Sequence, residues 1–215
     1  MKVAVLASGG KDSTYATWWA RLQGWEVVSL VTVLVRGEDS MMFQLQNSWI
    51  AGLQAASMGT TWKPVFSNGE EENEVYDLEM AIRGEKIPSV ALEDCWPDGV
   101  DAPGDLEVHT GPLEIDGIVV GALRSDYQKT RIEMMCERLG VRSFCPLWHK
   151  DPLDHMESLV VHGFEVVFTS VSTDGMDERW VGKKLDSDSL GMLADISKEY
   201  RFNLDGEGGE FETIV

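Results

Sequence analysis

Residues Ser8-Gly9-Gly10-Lys11-Asp12-Ser13 follow the apolar run Val3-Ala4-Val5-Leu6 and precede a stretch with helical spacing. A strand, a glycine turn and a helix start in that order make an anion site, because free backbone N–H groups and the helix dipole both favour negative charge. Gly9 and Gly10 lack Cβ atoms, so the backbone can approach a phosphate closely. Lys11 adds a mobile positive charge, and Ser8 and Ser13 add hydroxyl donors. The turn is not a GxxxxGK[ST] loop: Lys11 precedes Asp12, and position 5 is Val. A second stretch, GALRSDYQKTR at 121–131, leaves an apolar strand pattern and enters a helix start. Arg124, Lys129 and Arg131 gather positive charge there, and Ser125 is placed to cap the helix. A third stretch, GEGGEFET at 206–213, spaces Glu207, Glu210 and Glu212 with glycines. Such a run is poor helix and poor strand material. It reads either as a tight loop presenting carboxylates to Mg²⁺ or to a cationic or protic substrate, or as an acidic frayed terminus.

Alternating strands and helices must hold these segments. Tyr15, Trp18, Trp19 and Leu22 recur at helical spacing, with Gly24 as the stop. Val27 to Val35 reads as a second buried strand, 47–58 as a helix ending at Gly59, and Trp62 to Phe66 as a third strand. Val75, Leu78 and Ile82 mark another helix, Gly117 to Leu123 a fourth strand, and Ile132, Met135, Cys136 and Leu139 a helix stopped by Gly140. Asp151-Pro152 is an N-cap with proline at the first helical position, opening a helix that ends at Gly163. Phe164 to Val171 is one more strand, and Ser187 to Tyr200 a last helix. The alternation predicts an α/β fold with a doubly wound, mostly parallel sheet over residues 1–140 and a smaller C-terminal part over 141–215. Ligands of such sheets bind at the carboxyl ends of the strands, which gathers the 8–13 turn, the loop after Val35 and the loop after Leu123 around one crevice. Residues 93–114, with Pro97, Pro103 and Pro112, break the rhythm and read as a long surface loop or small hairpin: either a lid or an inert insertion.

Composition narrows the partners. The 215 residues carry 37 acidic against 18 basic side chains, a formal charge of −19, which argues against nucleic acid as a partner because such binding needs a basic footprint. No apolar run reaches the roughly 18–20 residues of a membrane span, and no signal-peptide pattern opens the chain. Cys95, Cys136 and Cys145 are odd in number and form no CxxC pair, so neither a disulfide framework nor a zinc site is expected. The expected compartment is the cytoplasm. His109, His149, His155 and His162 lack metal-ligand spacing and read as structural or exposed.

The SGGKDS turn resembles the PP-loop of the ATP pyrophosphatases, which split ATP into AMP and pyrophosphate. Taken with GALRSDYQKTR at 121–131, CPLWHKD at 145–151, Leu185-Asp186 after Trp180-Val181-Gly182-Lys183, and GEGGEFET at 206–213, the whole chain resembles the diphthine–ammonia ligase family. The resemblance implies a PP-loop (adenine nucleotide alpha hydrolase-like) fold and ATP-dependent amidation, by ammonia, of the diphthine residue of translation elongation factor two. ATP would adenylate the diphthine carboxylate with release of pyrophosphate, and ammonia would attack the acyl adenylate to give diphthamide and AMP. It further implies ATP contacts at Ser8, Gly9, Gly10, Lys11, Asp12, Ser13, Arg124 and Ser125, and substrate contacts at Asp126, Tyr127, Gln128 and Trp148. Catalytic roles fall to Lys11, Glu207, Glu210 and Glu212. Lys11 and the loop N–H groups would stabilise the departing pyrophosphate, with Mg²⁺ bridging phosphate oxygens. Asp12 either holds that ion or caps the helix. The three glutamates would attract ammonium, one acting as base, while Tyr127 and Gln128 orient the acyl adenylate. Trp148 is either a substrate wall or core.

Some positions depart from the family pattern. Met41 and Gln44 stand where many relatives have an aromatic residue and His, and the 93–114 loop is longer than the family core needs. The chain ends two residues after Thr213, where relatives usually continue, which reads as a short or trimmed form; the expected lack of extra C-terminal domains suits the single-domain archaeal-type members better than the longer eukaryotic ones. Rival readings are a paralogue acting on a small or cobalamin-related substrate, a non-catalytic adenine-nucleotide-binding module, and, third, a transfer RNA modification enzyme. A homodimer is compatible with the sequence.

Overall fold

In the computed structural model, which describes residues 1–35, 42–43, 47–69, 71–85 and 95–215, β1 (Lys2–Leu6) runs through the middle of a five-stranded parallel sheet. Its residues alternate between two buried faces, as a central strand of an α/β sheet must. Val3 and Val5 face one side with Leu30 and Val119; Ala4 and Leu6 face the other with Val31, Val33 and Ile118. Helices cover both faces. α1 (Lys11–Leu22) and α2 (Ile50–Met58) lie on the first, where Ala16, Ala20, Ala51 and Ala55 let the helices come close. α3 (Glu71–Arg83) and α4 (Asp126–Leu139) lie on the second through Leu78, Ile82, Ile132 and Met135.

The other strands are β2 (Glu26–Val35), β3 (Thr61–Ser67), β4 (Gly117–Val120) and β5 (Arg142–Phe144), in the order β3-β2-β1-β4-β5. The chain moves outward from β1 to one edge, then returns to β1's other side. That reversal leaves a crevice beyond the carboxyl ends of β1 and β4. The doubly wound sheet expected from the sequence is therefore present. Three-residue β5 was not foreseen, since RSF is too short to show a period, and it carries the large sheet past residue 140. β4 ends at Val120, earlier than the apolar run suggested, because Gly121 turns the chain toward the crevice.

The C-terminal part contains α5 (Pro152–Val161), β6 (Val167–Val171), a 3₁₀ turn (Glu178–Trp180), α6 (Ser187–Tyr200) and β7 (Phe211–Ile214). Asp151 caps α5 with Pro152 in its first turn, as the sequence indicated, and Asp186 with Ser189 forms a capping box on α6. β6 stands apart from the parallel sheet and pairs antiparallel with β7 in a separate two-stranded sheet. One expectation is corrected here. The 206–213 run is not loop throughout: from Phe211 it is strand, because Phe211 and Thr213 alternate inward and pack the face that Glu212 leaves. The described part of the 93–114 segment is irregular. It lies along β3, where Trp62 N–H donates to Glu107 O at 2.8 Å and His109 N–H to Trp62 O at 2.8 Å. Met41 and Gln44 fall outside the described residues.

Candidate active site

Gly9 turns the chain out of β1 with φ of +84°, and Gly10 hands it to α1 as the N-cap. Gly10 has no side chain to cap the first-turn N–H groups, and that of Lys11 is met instead by Thr213 Oγ1 from the far end of the chain. Gly121, at the end of β4, lies directly against this start: a Cβ there would stand 2.7 Å from the carbonyl carbon of Asp12. Only glycine allows β4 to approach the turn so closely. Beside these segments is a cleft of about 360 Å³. Leu6, Val31, Val33, Met42, Phe43 and Ile132 form its apolar wall, and Ser8, Asp12, Ser13, Ser48, Gln128, Glu207 and Glu212 its polar one. An apolar slot with a few convergent polar groups is the usual build of a small-molecule site.

The charges on the polar wall are organised by buried partners. Lys11 Nζ bonds Asp12 Oδ2 at 2.9 Å, and the lysine side chain is 5% exposed. On the other oxygen, Asp12 Oδ1 lies 2.7 Å from Nε2 of fully buried His155, delivered by α5. Burial alone would raise the Asp12 carboxyl, but Lys11 and His155 together outweigh it and hold the group below its ordinary value. Glu207 and Glu212 go the other way. Burial pushes both carboxyls up, against the smaller opposing pull of the Arg124 N–H on Glu207 and of Lys11 on Glu212. The site thus holds one carboxylate fixed as an anion and two whose proton affinity is raised, an arrangement suited to proton transfer.

Several expected site residues converge. Ser8, Asp12, Ser13, Gln128, Glu207 and Glu212 all line the cleft, although the turn and the glutamates are about two hundred residues apart in sequence. Gly9, Gly10 and Lys11 are buried and not on the described cleft wall, and the Lys11 N–H reaches Thr213 Oγ1 at 3.3 Å. Other expected residues are placed elsewhere. The Arg124 guanidinium pairs with Asp205 and donates to Lys150 O at 3.1 Å. Ser125 caps α4 by accepting from Gln128 N at 3.3 Å, and Asp126 is exposed in the first turn. Tyr127 is covered by Arg131, whose Cζ is 3.5 Å from the ring centroid. Trp148 is half-buried under Lys129, neither on the described cleft wall nor in the core. Glu210 holds its own turn, with Oε1 accepting from Asn203 N at 2.9 Å and Oε2 from Gly208 N at 2.7 Å. The sequence reading missed His155 and Asp205. Neither has a local signal; a buried ionisable partner on a distant helix or turn leaves no mark in spacing.

A parallel 3-2-1-4-5 sheet, with a glycine turn leading from its central strand into a helix whose first turn carries Lys and Asp, makes this a doubly wound α/β protein with an anion-binding turn at the head of its central strand. The sequence profile of the diphthamide synthase N-terminal domain matches residues 1–96 and 93–143, and that of the diphthamide synthase C-terminal domain matches 151–215. The chain belongs to the diphthamide synthase family. Among its relatives, the diphthine–ammonia ligase of Rattus norvegicus is 30% identical over 225 residues, which take in all of this chain and 78% of the relative. That of Homo sapiens is 29% identical with the same coverage. The Schizosaccharomyces pombe ligase is 29% identical, and only 34% of its length is matched. A solved structure from Methanocaldococcus jannaschii, titled a predicted subunit of tRNA methyltransferase, is similar at 18% identity and a TM-score of 0.43, covering 99% of this chain and 95% of that one.

Proposed function

We propose that this protein is a diphthine–ammonia ligase: an ATP-dependent enzyme that amidates the diphthine of translation elongation factor two, through an acyl adenylate, to give diphthamide, AMP and pyrophosphate. One observation carries the reading. A single cleft joins the 8–13 turn to Glu207 and Glu212, so a phosphate cradle and proton-accepting carboxylates face the same space.

The division of labour follows from the walls. The apolar side suits a purine, and the turn with its helix start suits the phosphates. A carboxylate is a poor acyl donor until its oxygen attacks the α-phosphorus of ATP and expels pyrophosphate, after which AMP can depart as the leaving group when ammonia attacks the acyl carbon. In the first of these steps negative charge grows on the departing pyrophosphate, where Lys11 and the turn N–H groups are preorganised to meet it. Ammonium must lose a proton before attack. Glu207 and Glu212 are positioned to attract the cation, and the raised proton affinity of each suits it to act as base. Gln128, its Nε2 donating to Met42 O at 3.2 Å, is the orienting amide on the same polar wall. Asp12 offers a carboxylate to Mg²⁺, but both its oxygens already have partners, and no group of three or more metal-ligating side chains occurs among the described residues. That donor set fits a Mg²⁺ that enters on nucleotide phosphates, with Asp12 as its protein anchor, where it would offset phosphate charge.

The test is product analysis. With diphthine-bearing elongation factor, ammonium and ATP, the nucleotide product should be AMP with pyrophosphate, and the factor should gain the diphthamide mass. ADP as the main nucleotide product would overturn the reading. Elongation factor carrying complete diphthamide in a deletion strain would do the same.

A further inference from the structure

The strap between β4 and α4 and the turn before β7 meet at one point. Arg124 Nη2 pairs with Asp205 Oδ2, Arg124 Nη1 donates to Lys150 O at 3.1 Å, and the Arg124 backbone N–H donates to Glu207 Oε1 at 2.9 Å. Asp205 is fully buried, and its Oδ1 has no hydrogen-bond partner among the described residues. The Arg124 side chain is 25% exposed and is absent from the described cleft wall, whereas Glu207 is on that wall. A buried ion pair is a weak source of stability, because desolvation of both groups offsets most of their attraction. What a guanidinium fork held by two acceptors provides is orientation.

We propose that Arg124 and Asp205 are positioning residues whose ion pair sets the Glu207 carboxylate in the cleft. The fork fixes the strap, the strap aims its own backbone N–H at Glu207 Oε1, and Asp205 anchors the turn two residues before Glu207. Gly206, with φ of +74°, makes the bend between anchor and carboxylate. Removing either charge frees both sides of the cleft at once and leaves the other charge buried without its partner. The effect on ammonia handling rests on the ligase reading above; the positioning of Glu207 does not.

Asp205→Asn, Arg124→Leu and Arg124→Lys separate the possibilities. In Asp205→Asn, ATP–pyrophosphate exchange with diphthine-bearing factor should stay within about twofold, while the ammonium KM rises about tenfold or more, since a shift of roughly 1 Å can cost about a hundredfold. Arg124→Leu should raise the ammonium KM likewise, and Arg124→Lys should recover part of it. If Arg124→Leu does not fold, the other two variants carry the comparison. An unchanged ammonium KM in folded Asp205→Asn would overturn the proposal, as would equal loss of exchange and amide formation. Loss of exchange in Arg124→Leu alone would overturn it too, by placing the guanidinium on ATP. Crystal structures of the variants test positioning without catalysis: Glu207 should leave the residue 124 N–H, and a contact kept at 2.9 Å would refute the device. A wild-type protein that forms no diphthamide would instead sink the ligase reading alone.

Discussion

Asp12 has Lys11 on one oxygen and His155 on the other, whereas Glu207 and Glu212 are buried without equal compensation, so the carboxyl of the first is held down and those of the other two are pushed up. The consequences for stability also have opposite signs. Asp12 binds its proton less tightly when folded, so its contribution is present above the unfolded carboxylate pKa and is lost as pH falls through the folded one. Glu212 binds its proton more tightly when folded, so stability is lost as pH rises from the ordinary glutamate pKa through the raised one. Glu212→Gln should therefore be more stable than wild type at neutral pH and gain nothing at acid pH, as read by urea unfolding at a series of pH values. The same shift sets the acid limb of amide formation: activity that needs an ionised Glu207 or Glu212 should rise above the usual carboxylate range. His155→Leu takes the donor from Asp12 Oδ1. It should cost about 1–3 kcal/mol at neutral pH and weaken the acid dependence that Asp12 contributes, in the same unfolding series.

At the scale of elements, the close approach of β4 to the α1 start decides whether the cleft exists. Gly121→Ala brings a methyl group to 2.7 Å from the Asp12 carbonyl carbon and 2.8 Å from Ser13 N, both backbone atoms that cannot swing away. The expected loss is about 1–3 kcal/mol with a collapse of nucleotide affinity. Gly104→Ala, where a Cβ meets nothing within 4 Å, should leave melting temperature and nucleotide titration unchanged. The elements that sequence revealed are those with long periods or caps: the turn after Leu6, the Tyr15-Trp18-Trp19-Leu22 and Val75-Leu78-Ile82 stripes of α1 and α3, and Asp151-Pro152. β5 escaped because three residues carry no periodicity. β7 escaped because Glu212 and the glycines before it lower strand propensity, while inward Phe211 and Thr213 override it by packing. The site was legible in its motifs but not in their roles. Spacing marked Glu207, Glu210 and Glu212 alike; only the folded chain separates the two that face the cleft from the one that holds a turn.

Across the whole molecule, the last strand is stitched back onto the first turn. Gln54 Nε2, on α2, shares its two hydrogens among Gly9 O at 3.1 Å, Thr14 Oγ1 at 3.1 Å and Val215 O at 2.9 Å, and the Val215 N–H donates to Gly9 O at 3.2 Å. One apolar cluster also runs from Tyr15 of α1 and Leu123 into Phe168, Leu193 and Phe211 of the C-terminal part. The cleft and this cluster both span the two sheets, so the C-terminal sheet shares its core with the five-stranded sheet, whose faces carry apolar clusters of their own. Unfolding should accordingly be one transition, with near- and far-ultraviolet circular dichroism superimposed and both moved upward together by AMP or ATP. Gln54→Leu removes the amide donor from this buried junction and should lower that single midpoint, by about 2–4 °C for each kcal/mol lost in a chain of this size. Two separated transitions in the wild type, with only the earlier one sensitive to Gln54→Leu, would show that the C-terminal sheet docks on a sheet that folds without it.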